Sequence, residues 1–358
     1  MGIKNLNHLI SEFTNSNPKN RKFLNDFSGK VFAVDANLFI YKFLYANGNH
    51  INGLFFMINK LSKFNIKPIF VFDGKAPVEK KHTLDNRKKN KHKIIAQVIS
   101  FKADLDIIQN PQKRKEIIEK ILKLEKRLVY VGKDVIHSSK NLLKLMGIQY
   151  FQAETEAEHL CSNLSRLGVI DGVISDDTDS IACGSNIIIR NFTNKYDYIS
   201  YYNLDDILYD LDINYDSFLD LCILLGTDYN KKTKNISFKK AYELIKLYKT
   251  IDAIEKKTDY TIVYNYTNIR QIFKKNYVTP EIINEIKNFN PHQYSDAGLL
   301  ILFLEKNSSI KKSTFLYRLD KMKERKFKTN NDHLFKYNIY DSQYKIKLKN
   351  NLTNSAFF

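Results

Sequence analysis

Apolar positions along the chain follow two rhythms, one helical and one extended. MGIKNLNHLISEF sets Ile3, Leu6, Leu9 and Ile10 on one stripe and predicts a short amphipathic helix. KVFAVDANLFIYKFLYA opens with a continuous apolar run, Val31 to Val34, which predicts a buried strand that ends in Asp35 and turns into a helix. LFFMINKLSKF returns to helical spacing, and a second buried strand, Pro68 to Phe72, ends in Asp73 before Gly74. Strands joined through helices make a parallel sheet with right-handed crossovers. SSKNLLKLMGIQYF adds a helix and a strand, VISDDTD after Gly172 a short buried strand, and SNIIIRNF another. YDSFLDLCILLGTDYNKK predicts a helix stopped at Gly226, with Asp228 on the tight turn that follows. ISFKKAYELIKLYKTIDAI reads as one helix with basic residues at its start, and further amphipathic helices run through DAGLLILFLEKNSSIKKSTFLYRLDKMKERK. The expected class is α/β: a central, mostly parallel sheet flanked by helices.

Between Lys75 and Lys133 the rhythm stays helical but the residues turn basic, which predicts a helical insertion directly after the second acidic strand. Lys80 and Arg87 lie seven positions apart there, two turns or about 10.5 Å along one helix face, a spacing that spans neighbouring phosphates. A solvated charged face is the bland reading of the same residues. Lys and Arg total 57 against 39 Asp and Glu, a formal charge of +18 that points to a polyanion such as nucleic acid. Hydrophobic residues make up 43% of 358, enough to bury a real core. Cys161, Cys183 and Cys222 are scattered without metal spacing and read as core residues of a reducing compartment. No signal peptide and no long apolar run stands in the sequence, so the expected location is intracellular and no membrane partner is expected.

Against this basic background, residues Ala153 to Gly184 concentrate acid: Glu156 and Glu158, then Asp177 and Asp179. Like charges about 4 Å apart repel by roughly 4 kcal/mol at a protein surface, so converging carboxylates share protons or hold a cation. Strand alternation is expected to send Asp177 and Asp179 to one side and Asp176 to the other. Thr155 is expected to cap the helix that Glu156 and Glu158 open. An acidic first turn that complements the helix dipole is the alternative for the glutamates, and a helix cap the alternative for Asp35, Asp73 and Asp228 taken singly. Ligands bind open α/β sheets at the carboxyl ends of the strands, where Asp35, Asp73 and the Asp177/Asp179 pair all fall.

MGI, VDANLFIYKFL, PIFVFDGKAP, RLVYVGKDVIHSSKNLLKLMGI, AETEAEHL, ISDDTDSIACG and DLCILLGTDY occur in that order. With this series the chain resembles the structure-specific 5′ nucleases, the flap endonuclease group of the xeroderma-G-type nucleases, over residues 1–326. The resemblance implies a PIN-like nuclease core within one domain. Residues 1–100 and 134–230 would form its nuclease regions, 75–133 a helical arch, and 231–326 a helix-two-turn-helix-like DNA-binding portion, with 327–358 a polar tail. It implies metal ligands at Asp35, Asp73, Glu156, Glu158, Asp177, Asp179 and Asp228. Two Mg²⁺ ions, or Mn²⁺, would hydrolyse a phosphodiester in DNA carrying a 5′ flap, gap or branch. Lys80 and Arg87 match the arch residues that steer the scissile phosphate, and Tyr41 the tyrosine that stacks on the first unpaired base; Lys239 and Lys240, at the start of the ISFKKAYELIKLY helix, would hold a duplex phosphate as plain charges.

Three departures qualify the likeness. The interval from Asp35 to Asp73 is short and lacks the acidic loop that helps form a 3′-flap pocket. Asn235-Ile236-Ser237 replaces a Gly-Ile-Gly turn, which removes the easy positive-φ geometry around a monovalent K⁺ site. The arch is long, with Ser100 to Lys115 as the addition. The tail's Phe357-Phe358 invites comparison with a sliding-clamp peptide, but Asn351 stands where that peptide needs Gln and Asn354 where it needs an aliphatic residue. The same acids would serve a 5′ to 3′ exonuclease or a junction-cleaving enzyme, in replication, repair or recombination. A non-catalytic DNA-structure binder is the reading from another class. The implied location is the nucleus for a cellular eukaryotic protein and a cytoplasmic replication site for a viral one.

Overall fold

The computed structural model describes residues 2–15, 21–290 and 297–324; the tail with Asn351, Asn354 and Phe357-Phe358 lies outside the described residues. Seven strands form one sheet: β1 (Arg21–Phe23), β2 (Val31–Asp35), β3 (Lys67–Phe72), β4 (Tyr150–Gln152), β5 (Gly172–Ile174), β6 (Ile187–Arg190) and β7 (Tyr198–Asn203). Their order is β1-β7-β6-β5-β2-β3-β4. The run from β6 to β4 is parallel, while β7 pairs antiparallel with both β6 and β1. The sequence reading assigned no strand to β1 or β7; the polar and tyrosine-rich character of both hides their extended pattern. From β2 the chain steps outward to β3 and β4, then returns to β5 on the other side of β2. That reversal leaves a crevice at the carboxyl ends of β2 and β5, where ligands of such sheets bind.

α1 (Leu6–Phe13) buries Leu6, Leu9 and Ile10, the stripe its spacing predicted. α2 (Ala36–Asn47) and α3 (His50–Lys63) are joined by only Gly48 and Asn49: Gly48 closes α2 at φ 68°, and the Asn49 side chain caps α3. Phe32, Val34, Phe39, Phe55 and Phe70 are fully buried beneath these helices, in the same apolar layer as Leu300, Leu304 and Phe315. The last three come from α15 (Ala297–Asn307) and α16 (Lys312–Glu324).

The basic insertion is a helical hairpin, α4 (Lys81–Ile107) and α5 (Pro111–Lys126). Its seam joins Ile94, Val98, Phe101 and Leu105 of α4 to Ile117, Ile121 and Leu124 of α5 and to Leu128 just beyond its end, with the same 4-3-4 spacing on both sides. Arg114 donates to the carbonyls of Leu105 and Ile108 and closes the tip. After α6 (Lys133–Leu145), α7 (Ala157–Arg166) and the four-residue α8 (Asp179–Ala182) carry the acidic stretch, and α9 (Leu204–Leu211) leads to α10 (Tyr215–Leu225). The helix expected over ISFKKAYELIKLYKTIDAI is two, α11 (Phe238–Tyr248) and α12 (Ile251–Lys257). Lys249 turns to φ 68° between them, and Thr250 caps α12 through the Ala253 N–H. α13 (Tyr266–Lys274) and α14 (Pro280–Asn288) complete the described helices, none of which is long and apolar enough to cross a membrane.

Candidate metal centre and nucleic-acid interface

Asp35 ends β2 and accepts the Leu38 N–H at 3.1 Å, so one oxygen caps α2 while the side chain stays at the strand's carboxyl end. Asp73 follows β3. The next two residues run beside 154–155, with Gly74 N–H to Thr155 O at 2.5 Å and Lys75 N–H to Glu154 O at 3.2 Å. A Cβ on Gly74 would lie 2.1 Å from Ala153 O, so only glycine permits this approach. It lets Asp73 Oδ1 accept the Ala157 N–H at 2.9 Å. Asp73, from another strand, therefore caps α7, and the expected cap Thr155 does not: its hydroxyl is buried without a partner.

Strand alternation does not orient Asp177 and Asp179, because β5 ends at Ile174. A turn does so instead: Ser175 Oγ accepts the Asp177 N–H at 3.1 Å, and Asp177 Oδ1 accepts the Asp179 N–H at 3.2 Å. Asp176 does point away, as expected, pairing with Lys42 of α2 and accepting the Asn191 N–H at 2.7 Å. Gly2 packs on this turn at φ 94°; a Cβ there would fall 2.2 Å from Asp177 Oδ1.

Carboxylate oxygens of Glu158, Asp177 and Asp179 lie within 4.8 Å of one another. Glu158 Oε1 and both oxygens of Asp179 are buried with no hydrogen-bond partner. Burial raises the pKa of Asp35, Glu158 and Asp179 well above the ordinary value of each, and neighbouring acids add to it: Asp73 beside Asp35, Asp179 beside Glu158, Asp177 beside Asp179. Unpartnered buried anions of this kind call for a counter-charge. An all-oxygen donor set suits a hard divalent ion such as Mg²⁺ or Mn²⁺, so the residues fit the metal chemistry read from the sequence.

Lys80 and Arg87 reach the cluster from the base of the hairpin. Lys80 is buried, its ammonium bonded to Glu156 and 3.0 Å from Asp228 Oδ2. Burial opposes its charge, but Glu158, Glu156 and Asp228 outweigh burial and raise its pKa. Arg87 Nη2 stands 2.8 Å from the same oxygen of Asp228, and the Thr83 hydroxyl donates to the Asp228 carbonyl at 2.7 Å. Asp228 therefore ties the hairpin down and does not cap the next helix; Ser237 caps α11 through the Lys240 N–H.

The XPG N-terminal domain matches residues 1–94, and the XPG I-region matches residues 147–228. Flap endonuclease 1 of Lodderomyces elongisporus is 32% identical over 354 residues, spanning 90% of this chain and 87% of the relative. Flap endonuclease 1 of Aedes aegypti is 35% identical over 306 residues, 79% of this chain and 76% of the relative. This chain belongs to the flap endonuclease 1 family. The solved flap endonuclease-1 of Methanococcus jannaschii, 28% identical, superimposes with a TM-score of 0.63 over 88% of this chain and 98% of that one. As a member of this family the protein is a structure-specific nuclease, a phosphodiester hydrolase acting on branched DNA.

The interval between the XPG N-terminal domain and the XPG I-region holds most of the hairpin. Tyr41 lies on α2, partly exposed, with Tyr45 stacked beside it at 6.3 Å between centroids and 25° between planes. Lys239 and Lys240 sit at the exposed start of α11, paired with Glu12 and Glu243. Asn235 takes φ 60°, so the substituted turn keeps a left-handed residue at the first lost glycine. Sequence reasoning missed His159 and Tyr229. Tyr229 donates to Glu156 Oε2 at 2.7 Å, and His159 Nε2 lies 2.7 Å from the Tyr229 oxygen. Burial lowers the His159 pKa to about 4. Both residues stand inside quoted motifs, but 70 positions apart and with the look of core aromatics.

Proposed function

We propose that Asp35, Asp73, Glu156, Glu158, Asp177, Asp179 and Asp228 hold two divalent ions, Mg²⁺ or Mn²⁺, for incision of DNA that carries a 5′ flap, gap or branch. The supporting observation is the group of buried, unpartnered oxygens on Glu158 and Asp179. When bound, such ions polarise the phosphoryl group and lower the pKa of an attacking water. The chain's own residues do the positioning. Lys80 and Arg87 converge on one oxygen of Asp228, and a phosphodiester entering there offers them the same charge-assisted contact in exchange. Tyr41 presents a ring face for an unpaired base, at a gain of about 1–3 kcal/mol per stacked base. The hairpin α4–α5 would be the arch around a single-stranded 5′ end, and replication, repair or recombination the setting. Lys239 and Lys240 would add duplex phosphate contacts as plain charges.

The two-residue link between α2 and α3 leaves little chain to build a pocket for a 3′ flap. Single-turnover cleavage of a 5′-flap DNA in Mg²⁺ tests the reading. Wild type is expected to cut at the junction at nearly the same rate with or without a 3′ flap, and Asp179→Ala to lose about 10²–10³-fold, the scale of losing one charge-stabilising group. A rate strongly enhanced by the 3′ flap would refute the reduced pocket, and equal cleavage by Asp179→Ala would refute the metal assignment.

A further inference from the structure

Four side chains form a chain of hydrogen bonds that starts in the core and ends on the acid cluster. Cys183 Sγ lies 3.7 Å from His159 Nδ1, His159 Nε2 lies 2.7 Å from the Tyr229 oxygen, and Tyr229 donates to Glu156 Oε2 at 2.7 Å. The network assigns every proton. Tyr229 has one hydrogen and gives it to the carboxylate, so its oxygen can only accept from His159, which must carry its hydrogen on Nε2. Nδ1 is then bare and accepts from the Cys183 thiol. No member can be turned round without leaving two acceptors face to face.

His159 is fully buried, its ring packed against Phe273 and Tyr277 at 6.0 and 5.6 Å between centroids. Phe273 also meets Tyr229 edge-on at 5.4 Å. Packing thus holds the imidazole, the imidazole holds the phenol, and the phenol holds Glu156. The other oxygen of Glu156 is left for Lys80. The dyad also joins two elements that deliver acids separately, since His159 follows Glu158 on α7 and Tyr229 follows Asp228 on the turn after α10.

We propose that His159 is a positioning residue for the metal centre: through Tyr229 it fixes the rotamer of Glu156 and the spacing between α7 and the Asp228 turn. This inference rests on the metal-centre reading above. Partners that orient a ligating carboxylate typically account for 10–100-fold in metal affinity or activity. His159→Met keeps the bulk and removes the N–H; His159→Gln places an amide N–H where Nε2 stood; Tyr229→Phe removes the link itself.

Free Mn²⁺ followed by electron paramagnetic resonance reads metal affinity without any cleavage, and single-turnover cleavage of flap DNA at saturating enzyme reads the chemical step. His159→Met and Tyr229→Phe are each expected to weaken Mn²⁺ binding and slow cleavage about 10–100-fold. DNA affinity should be unchanged, His159→Gln should restore most of both, and the double variant should be no worse than either single one. The inference is overturned if His159→Met binds Mn²⁺ as wild type does. It is equally overturned if His159→Gln is as impaired as His159→Met, since the ring's packing rather than its N–H would then matter. Wild type that binds Mn²⁺ yet cuts no DNA would count against the proposed function alone, because the Mn²⁺ comparison still decides the role of His159.

Discussion

Asp179 is 1% exposed and neither of its oxygens has a donor among the described residues, so without metal its ionisation works against the fold. Burial, then Asp177 and Asp228, raises its pKa above the unfolded value. A folded carboxylate with a raised pKa is most compatible with the native state below its unfolded pKa. That compatibility is lost as pH rises through the folded value. Asp179→Asn should therefore raise the metal-free melting temperature, with a gain over wild type that grows from pH 5 to pH 8, at roughly 2 °C per kcal/mol in a chain of this size. Saturating Mg²⁺ should reverse the order, since only wild type binds it fully. Calorimetric scans at both pH values check this; a gain that shrinks toward pH 8 would show that Asp179 is not held against its own charge. The acids themselves were legible in the sequence, because they crowd into a short stretch and stand at strand ends. Their partners were not. Gly2 under Asp177 and His159 behind Tyr229 depend on contacts across 175 and 70 positions that no local pattern encodes.

At the level of elements, periodicity carried furthest where one face alone is buried. α1 could be read from its spacing because Leu6, Leu9 and Ile10 form one buried stripe, whereas the insertion was legible as basic and helical but not as two helices joined by an apolar seam. β5 shows the opposite case: period-2 alternation was extended past Ile174 into a turn, where Ser175 and the backbone set the direction of Asp177 and Asp179. A third case is Arg270 of α13, which donates twice to buried Asp220 of α10, at 2.5 Å each, and to Asp252 of α12 at 2.7 Å. Asp220 also accepts the Ile251 N–H at 2.8 Å, so one carboxylate fixes both neighbouring helices. Arg270→Met would strand that buried anion at a cost of about 3–5 kcal/mol. Asn at 220 keeps an acceptor for Ile251 without the charge. Urea titrations should therefore show Arg270→Met/Asp220→Asn more stable than Arg270→Met alone; a double variant less stable than the single one would mean that the carboxylate's charge is not what Arg270 neutralises.

At the scale of the whole molecule, a sequence of formal charge +18 carries a local cluster of acids, and Lys80 and Arg87 pair with two of them, Glu156 and Asp228. Body charge governs how tightly DNA is held and how steeply salt weakens it. Residues that exchange an internal carboxylate for a phosphate act on turnover instead. Lys80→Ala and Arg87→Ala should each slow single-turnover cleavage about 10²-fold while changing duplex affinity within roughly threefold. Anisotropy titrations beside the kinetics check this, and equal losses in both would make the two residues ordinary backbone anchors. The basic hairpin that carries them is clasped to the body near its first turns, through Lys80, Thr83 and Arg87 on Asp228 and through Glu79 on Asn268. From Ile94 onward its apolar seam, among the described residues, is made of its own residues. A 27-residue helix held at one end is a lever about 40 Å long, so a tilt of about 10° at Asp228 carries the tip about 7 Å. Small displacements at the acid that grips it are thereby magnified at the hairpin's tip.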